Sequence, residues 1–256
     1  MEIRWFGTAS ISFSHQDYSI LFDPFLPMNQ ELPSSSIEKL ANMGDIFITH
    51  GHFDHLMHVS RVLKAGDALV YCCEVAAETL VREGVNEDRI GIIQPGKKMA
   101  KGPFEINVYK GAHIRFDLPL IFKTLLSRRS FNNRDRLRKL MRLAKRYPEG
   151  DVLVYGISAG GKTVLHLGSL NLDSLEDYPV NVDLLTLPFQ GRSDLDSYAM
   201  KFVDRLEPKA LYLHHFDNSF PPVSSRVYTS NFIQLVNAKY PNMKVVVPRY
   251  EEVITI

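Results

Sequence analysis

The sequence predicts an α+β fold in which sheet is covered by helices, built as one domain over residues 1–256. Short runs rich in β-branched, aromatic and aliphatic residues recur along the chain, alternating in polarity or wholly apolar, as half-buried and fully buried strands do. Amphipathic helical patterns fall between them, and no linker or internal repeat divides the sequence. Composition agrees: 45% hydrophobic and 23% charged residues are ordinary for a globular chain, and 15 Gly and 14 Pro without a period exclude a disordered or collagen-like one. The length is enough to bury a sizeable core.

Strands are expected at 2–6, 10–15 and 18–22, the first reading Glu2-Ile-Arg-Trp-Phe6. Ser34-Ser-Ser opens a helix to Ala41 with N-cap candidates. A strand at 45–48 precedes a histidine-rich turn, and the apolar run 68–73 leads into an amphipathic helix over 74–83. Strands come next at 103–109, 151–157 and 162–167. Gly156-Ile-Ser-Ala-Gly-Gly-Lys-Thr163 satisfies the phosphate-loop pattern GxxxxGK[ST], but a phosphate cradle needs a helix directly after it. The next residues are Val164-Leu-His-Leu167, a strand, so Ser158-Ala-Gly-Gly161 reads as a hairpin turn with glycines supplying positive φ. A strand at 183–187, a helix over 194–206, a strand at 209–214, a helix over 224–239 and strands at 243–248 and 252–256 complete the chain.

Cys72 and Cys73 are adjacent, and neighbours in a strand point to opposite faces, so they are poorly placed to bond each other. The opening strand shows no basic n-region followed by an apolar h-region, and no run approaches the roughly 18 apolar residues of a membrane span. A cytoplasmic protein is expected.

The net charge of +1 hides an uneven distribution. Between Lys123 and Arg146 lie ten Lys/Arg and one acid, Asp135, a net of +9, which leaves −8 on the remainder. Leu137, Leu140, Met141 and Ala144 fall at i, i+3, i+4 and i+7, an apolar stripe on a basic helix. An inserted basic lid at about 115–150 is expected, on an otherwise acidic domain.

The strongest signal is Asp45-Ile-Phe-Ile-Thr-His-Gly-His-Phe-Asp-His55. His50, His52, Asp54 and His55 arrive within six residues of a strand end. Imidazole and carboxylate are the usual ligands of zinc and similar metals, and one turn lets them converge without long loops. His113 follows the strand ending at Tyr109, and His214 and His215 follow Ala210-Leu-Tyr-Leu213. Residues gathered at strand ends are where α/β sites collect.

His50-x-His52-x-Asp54-His55 with later single histidines resembles the metallo-β-lactamase superfamily of binuclear hydrolases. Ile3 to Ile11, Ile20-Leu-Phe-Asp-Pro-Phe25 and His215-Phe-Asp-Asn218 are similar to the branch of ascorbate-6-phosphate lactonase and related metal-dependent hydrolases. The resemblance implies a four-layer αβ/βα sandwich holding one or two divalent metal ions, zinc first, with manganese or iron as alternatives. It implies His50, His52 and His113 around one metal. Asp54, His55 and a C-terminal histidine would hold the other, with Asp23 a buried carboxylate orienting ligands from behind. For the last ligand His215 is preferred over His214, because Phe216 and Asp217 follow it as the family pattern has it. Strand alternation sends the two histidines to opposite sides and leaves one a bystander.

The chain departs from the family where a bridging aspartate is expected. Val164-Leu-His-Leu-Gly-Ser169 places Ser169 there, and a neutral hydroxyl is a poor bridge between dications. A mononuclear enzyme, a binuclear one with a water bridge or a substitute such as Asp173, and an inactive scaffold are the three outcomes. His166 is expected to support the ligands from behind rather than bind metal.

The expected chemistry is hydrolysis of an ester, lactone or phosphodiester by a metal-bound hydroxide, since a metal lowers the pKa of its water toward about 7. Asp54 would orient the nucleophile as well as bind metal. Arg128, Arg129, Arg134 and Arg138 of the insert, and Arg192 at a strand end, are the candidate contacts to an anionic, phosphorylated small molecule or lipid. Peripheral membrane contact through 118–146 is a second role for the insert, and a solvated helix packed on the domain is the plain one. Nucleic acid ranks lower, because only Phe131 and Tyr147 offer aromatic faces there. The alternative in another class is a non-catalytic metal-binding or membrane-surface protein on the same fold.

Overall fold

The computed structural model describes residues 1–120 and 126–256. Two mixed sheets of seven strands each face one another. The first comprises β1 (Glu2–Trp5), β2 (Ile11–His15), β3 (Tyr18–Phe22), β4 (Asp45–Phe47), β5 (Val70–Cys72), β6 (Ile90–Ile92) and β14 (Val253–Thr255). The second comprises β7 (Lys98–Lys101), β8 (Phe104–Lys110), β9 (Leu153–Ala159), β10 (Lys162–Leu167), β11 (Leu184–Pro188), β12 (Ala210–His214) and β13 (Lys244–Val246). The orders are β14-β1-β2-β3-β4-β5-β6 and β13-β12-β11-β10-β9-β8-β7.

Each sheet changes from antiparallel to parallel pairing partway across, at β3–β4 in the first and β10–β11 in the second. Parallel neighbours need crossover connections, and helices supply them: α3 (Val59–Ala65) and α4 (Glu74–Arg82) in the first sheet, α7 (Leu195–Leu206) and α8 (Ser230–Lys239) in the second. α1 (Ile37–Ala41), capped by the Ser36 side chain, packs on α3, and α7 packs on α8. The inner faces hold aromatic side chains in contact across the sandwich. Phe22 and Phe47 lie with ring centroids 5.1 and 5.8 Å from Tyr155, whose hydroxyl donates to Ile48 O at 2.6 Å. These rings bury large apolar areas on both sheets and leave the outer faces to the helices.

The Gly156–Thr163 segment is a hairpin: β9 and β10 pair antiparallel, and Gly160 and Gly161 turn between them at φ +58° and +72°. Cys73 ends the predicted strand 68–73 early by standing before α4, and both cysteines are free and buried. The predicted helix 224–239 begins only at Ser230. β6 and β7 carry little sequence signal, Ile-Gly-Ile and Lys-Met-Ala-Lys, because each is an edge strand with one neighbour.

The basic insert contains α5 (Arg128–Asn132) and α6 (Arg134–Arg146). Residues 121–125 of the predicted lid lie outside the described residues. The apolar stripe of α6 is rotated from the one expected. Leu140 is buried against Phe25 and Phe220, with Leu143, Phe53 and Met57 alongside, whereas Met141 is 58% exposed and Ala144 is also exposed. Arg136 joins the packed side by donating to Met28 O at 2.8 Å. Among the described residues no helix is long and apolar enough to cross a membrane.

Candidate metal centre

β4 runs out at Phe47, and the next eight residues form the centre's first wall. His52 adopts extended backbone immediately before α2 (Phe53–Leu56), so this short helix presents Asp54 and His55 from one turn. Gly51 is required between the two histidines: a Cβ there would run into Pro148 O, and its N–H donates to Glu149 O at 2.7 Å. Asp23 follows β3 at φ +45°, a region that Asp tolerates better than most residues. Its Oδ1 accepts from Thr49 N at 2.8 Å, and its Oδ2 lies 2.6 Å from Thr49 Oγ1 and 2.8 Å from His55 Nδ1.

The second sheet supplies the rest. His113 follows β8, and His215 follows β12 at φ +59° with its N–H donated to Thr8 O at 2.8 Å. The six residues form two adjoining groups of ligand atoms, His50–His52–His113 and Asp54–His55–His215, each within 4.8 Å. His50 Nε2 lies 3.1 Å from His52 Nδ1, His215 Nε2 lies 3.2 Å from Asp54 Oδ2, and the His50 and His55 rings are 3.9 Å apart.

Four of the five imidazoles have their second nitrogen at a protein oxygen: His50 at Thr49 Oγ1, 3.1 Å; His55 at Asp23; His113 at Ile114 O, 2.9 Å; and His215 at Gln190 Oε1, 2.9 Å. Such partners fix the tautomer and leave the other nitrogen to face inward with a lone pair. Inward-facing imidazole nitrogens beside one carboxylate are a donor set that fits zinc or a similar divalent cation.

The electrostatics favour neutral His50, His52 and His113 and an ionised Asp54. Burial, with the neighbouring imidazoles, holds His50 well below its ordinary value, and burial with His52 takes His113 down to about 4. Burial opposes ionisation of Asp54, but His55 and His215 outweigh it and keep the carboxyl well below the usual range. Burial also works against a charged His55, yet Asp23 and Asp54 raise it.

The remaining predicted residues fall outside the two groups. His214 is fully buried, its Nε2 3.0 Å from Leu167 O, and stacks on His166 at 5.6 Å. His166 has its Nδ1 2.7 Å from Thr186 Oγ1, and its ring packs on Phe22. Ser169 accepts from Ile114 N at 2.9 Å and so secures the loop that carries His113. Asp173 is in neither group of ligand atoms and pairs with exposed Arg115 at 2.7 Å. Arg192 is held by Asp194 at 2.6 Å, and Arg129 donates to Asn218 Oδ1 at 3.0 Å. Arg138 pairs with Asp135 at 3.1 Å, Arg134 lies over the Phe131 ring at 3.8 Å, and Arg128 is exposed.

Sequence reasoning missed Thr49, Gln190 and Glu149, whose Oε2 lies 3.8 Å from His52 Nε2. Thr49, the polar residue between apolar strand and first histidine, is the one with a readable signal.

A family model described as a beta-lactamase superfamily domain matches residues 2–215. A UPF0173 protein of Pyrococcus abyssi is 23% identical over 218 residues, 84% of this chain and 83% of its own. A UPF0173 metal-dependent hydrolase of Salinibacter ruber is 37% identical over 71 residues, 27% of this chain and 30% of its own. Among solved structures, the metallo hydrolase Igni18 of Ignicoccus hospitalis superposes with a TM-score of 0.69 at 18% identity, covering 99% of this chain and 97% of its own. Because the family model matches residues 2–215, and with paired donor groups at one edge of a two-sheet sandwich, the chain belongs to the beta-lactamase superfamily, among relatives named metal-dependent hydrolases.

Proposed function

We propose that this centre hydrolyses an ester, lactone or phosphodiester bond in an anionic, phosphorylated substrate of the cytoplasm. The observation that carries the reading is the pair of adjoining donor groups lying under a strongly basic insert. α6 rests through Leu140 and Leu143 on Phe53 of α2, the helix that bears Asp54 and His55. His50, His52 and His113, and Asp54, His55 and His215, would hold a divalent cation, zinc first and manganese or iron as alternatives, which when bound would supply an activated water and positive charge for the developing oxyanion. Asp54, ionised and 3.2 Å from His215 Nε2, holds its carboxylate oxygen where it can bind metal and accept a proton. Arg128 and Arg134 are exposed, whereas Arg129, Arg138 and Arg192 are engaged with Asn218, Asp135 and Asp194 and would have to exchange partners.

Metal analysis of the purified protein, with hydrolysis of bis(p-nitrophenyl) phosphate and a lactone panel, tests this reading. At least half an equivalent of metal is expected, together with activity lost in His52→Ala and Asp54→Ala. Metal below that level, or activity unchanged in both variants, favours the non-catalytic alternative to which Ser169 points.

A second reading concerns the insert, which we propose docks on anionic phospholipid. Phe116, Leu118, Leu126, Phe131 and Met141 are exposed by 55, 67, 82, 63 and 58%. They lie among basic residues: Met141 shares a helical face with Arg134, Arg138 and Lys145. Apolar side chains within a basic surface complement an anionic bilayer, where aliphatic groups enter the acyl boundary. Sedimentation with anionic vesicles well above neutral ones is expected; equal binding removes the idea.

A further inference from the structure

We propose that Glu149 is the carboxylate that orients His52, so that the returning end of the basic insert sets the geometry of the His50–His52–His113 group. The inference rests on reading those histidines as metal ligands, and assigns them a positioning residue from another part of the chain.

The argument is one of complementary nitrogens. His50, His55, His113 and His215 each have one nitrogen facing the centre and the other at a protein oxygen. His52 is turned the opposite way from its neighbours, with Nδ1 toward His50 Nε2 at 3.1 Å. To ligate through Nδ1 it must carry its proton on Nε2, and that nitrogen needs an acceptor to hold the ring. The group facing it is the Glu149 carboxylate at 3.8 Å, an ion-pair separation that the proposed role would have close to hydrogen-bond length.

The backbone of Glu149 is already fixed for the task. Gly51 N–H donates to Glu149 O at 2.7 Å, and the space a Cβ of Gly51 would need is filled by Pro148 O. The loop between the two histidines and the end of the insert therefore move as one piece. Upstream, Tyr147 OH and Arg146 engage Glu83, and Leu140 anchors α6 to the domain. The charge matters as well. The His50–His52–His113 group contains no carboxylate. Glu149 brings a negative charge to the edge of that group. An oriented carboxylate behind a ligating histidine is worth about 10–100-fold in metal affinity.

The test compares wild type, Glu149→Ala, Glu149→Gln and His52→Ala, loaded with zinc and competed against a chromophoric chelator. Long-range 1H–15N spectra of the histidine rings report the His52 tautomer. Melting temperature serves as a control for folding. Glu149→Ala is expected to loosen one metal equivalent by about 10–100-fold and to populate the Nδ1–H tautomer of His52, with an unchanged melting temperature. Glu149→Gln keeps an acceptor oxygen, so it is expected to preserve the tautomer and recover part of the affinity. Wild-type protein that holds metal, with His52→Ala weakened but Glu149→Ala unchanged in affinity and tautomer, overturns this proposal alone. Wild-type protein that holds no metal, or an unweakened His52→Ala, overturns the ligand assignment and the proposal with it.

Discussion

Asp23→Asn is the substitution that probes the centre most directly, because it changes charge and hydrogen-bond polarity while keeping shape. Asp23 has no solvent exposure and meets Thr49 N, Thr49 Oγ1 and His55 Nδ1 at 2.8, 2.6 and 2.8 Å. An asparagine keeps the acceptor for Thr49 N, but turns an amide NH2 toward the hydroxyl and the imidazole. The His55 Nδ1–H then faces a donor. Either the buried pair is lost, or His55 changes tautomer and aims an N–H at the position of the metal. Breaking a buried charged pair costs about 3–5 kcal/mol. Taking about 3 kcal/mol, because one hydrogen bond survives, and roughly 2–4 °C per kcal/mol for a chain of this size, the metal-free protein should melt about 6–12 °C lower. The Asp54–His55–His215 group should lose about 10–100-fold in zinc affinity. Thermal melts and chelator competition read both effects. A melting shift within about 2 °C together with unchanged affinity would refute the reasoning, since no buried donor could then have been left unsatisfied.

Three further outcomes are expected. His215→Ala should remove one metal equivalent by elemental analysis, whereas His214→Ala should keep the full count while destabilising the fold by about 1–3 kcal/mol through loss of a buried bonded group. Leu140→Ala should cost about 2–5 kcal/mol in denaturant unfolding and raise proteolysis within α5 and α6, because Leu140 ties the insert to Phe25 and Phe220. The metal-free protein should lose stability as pH falls from about 6.5 toward 4. Burial takes His166 and His58 down to about 4, so the unfolded chain binds protons in that window while the folded one does not. Melts across pH 4–7 check the slope. A flat profile, or a His166→Phe variant with the same slope as wild type, would contradict it.

How far the centre could be read in advance depended on sequence distance. His50, His52, Asp54 and His55 were legible because one strand end and one short turn place them, so spacing alone carries the geometry. The Gly160–Gly161 turn was legible for the same reason. For the pair His214–His215, alternation separates the faces, and the following Phe216 and Asp217 favoured His215, whose contacts to Gln190 and Asp54 turn it to the centre. Asp173 shows the opposite case. Its position after Ser169 made it a plausible bridge, yet Arg115, 58 residues earlier, holds it elsewhere.

The sequence by itself therefore determined the strand-rich sandwich, the kind of atoms available to a metal, and the separation of charge into a basic segment and an acidic remainder. These depend on periodicity, local turns and composition, which no partner element has to specify. Tertiary structure alone decided which face of α6 is buried, what Ser169 holds, and that Glu149 stands behind His52. An amphipathic helix offers several stripes of similar quality, and packing against Phe25, Phe53 and Phe220 selects the one containing Leu140 and Leu143. Contacts such as Glu149 to His52 or Ser169 to Ile114 join residues far apart in the chain, so their partners are set by how the two sheets meet.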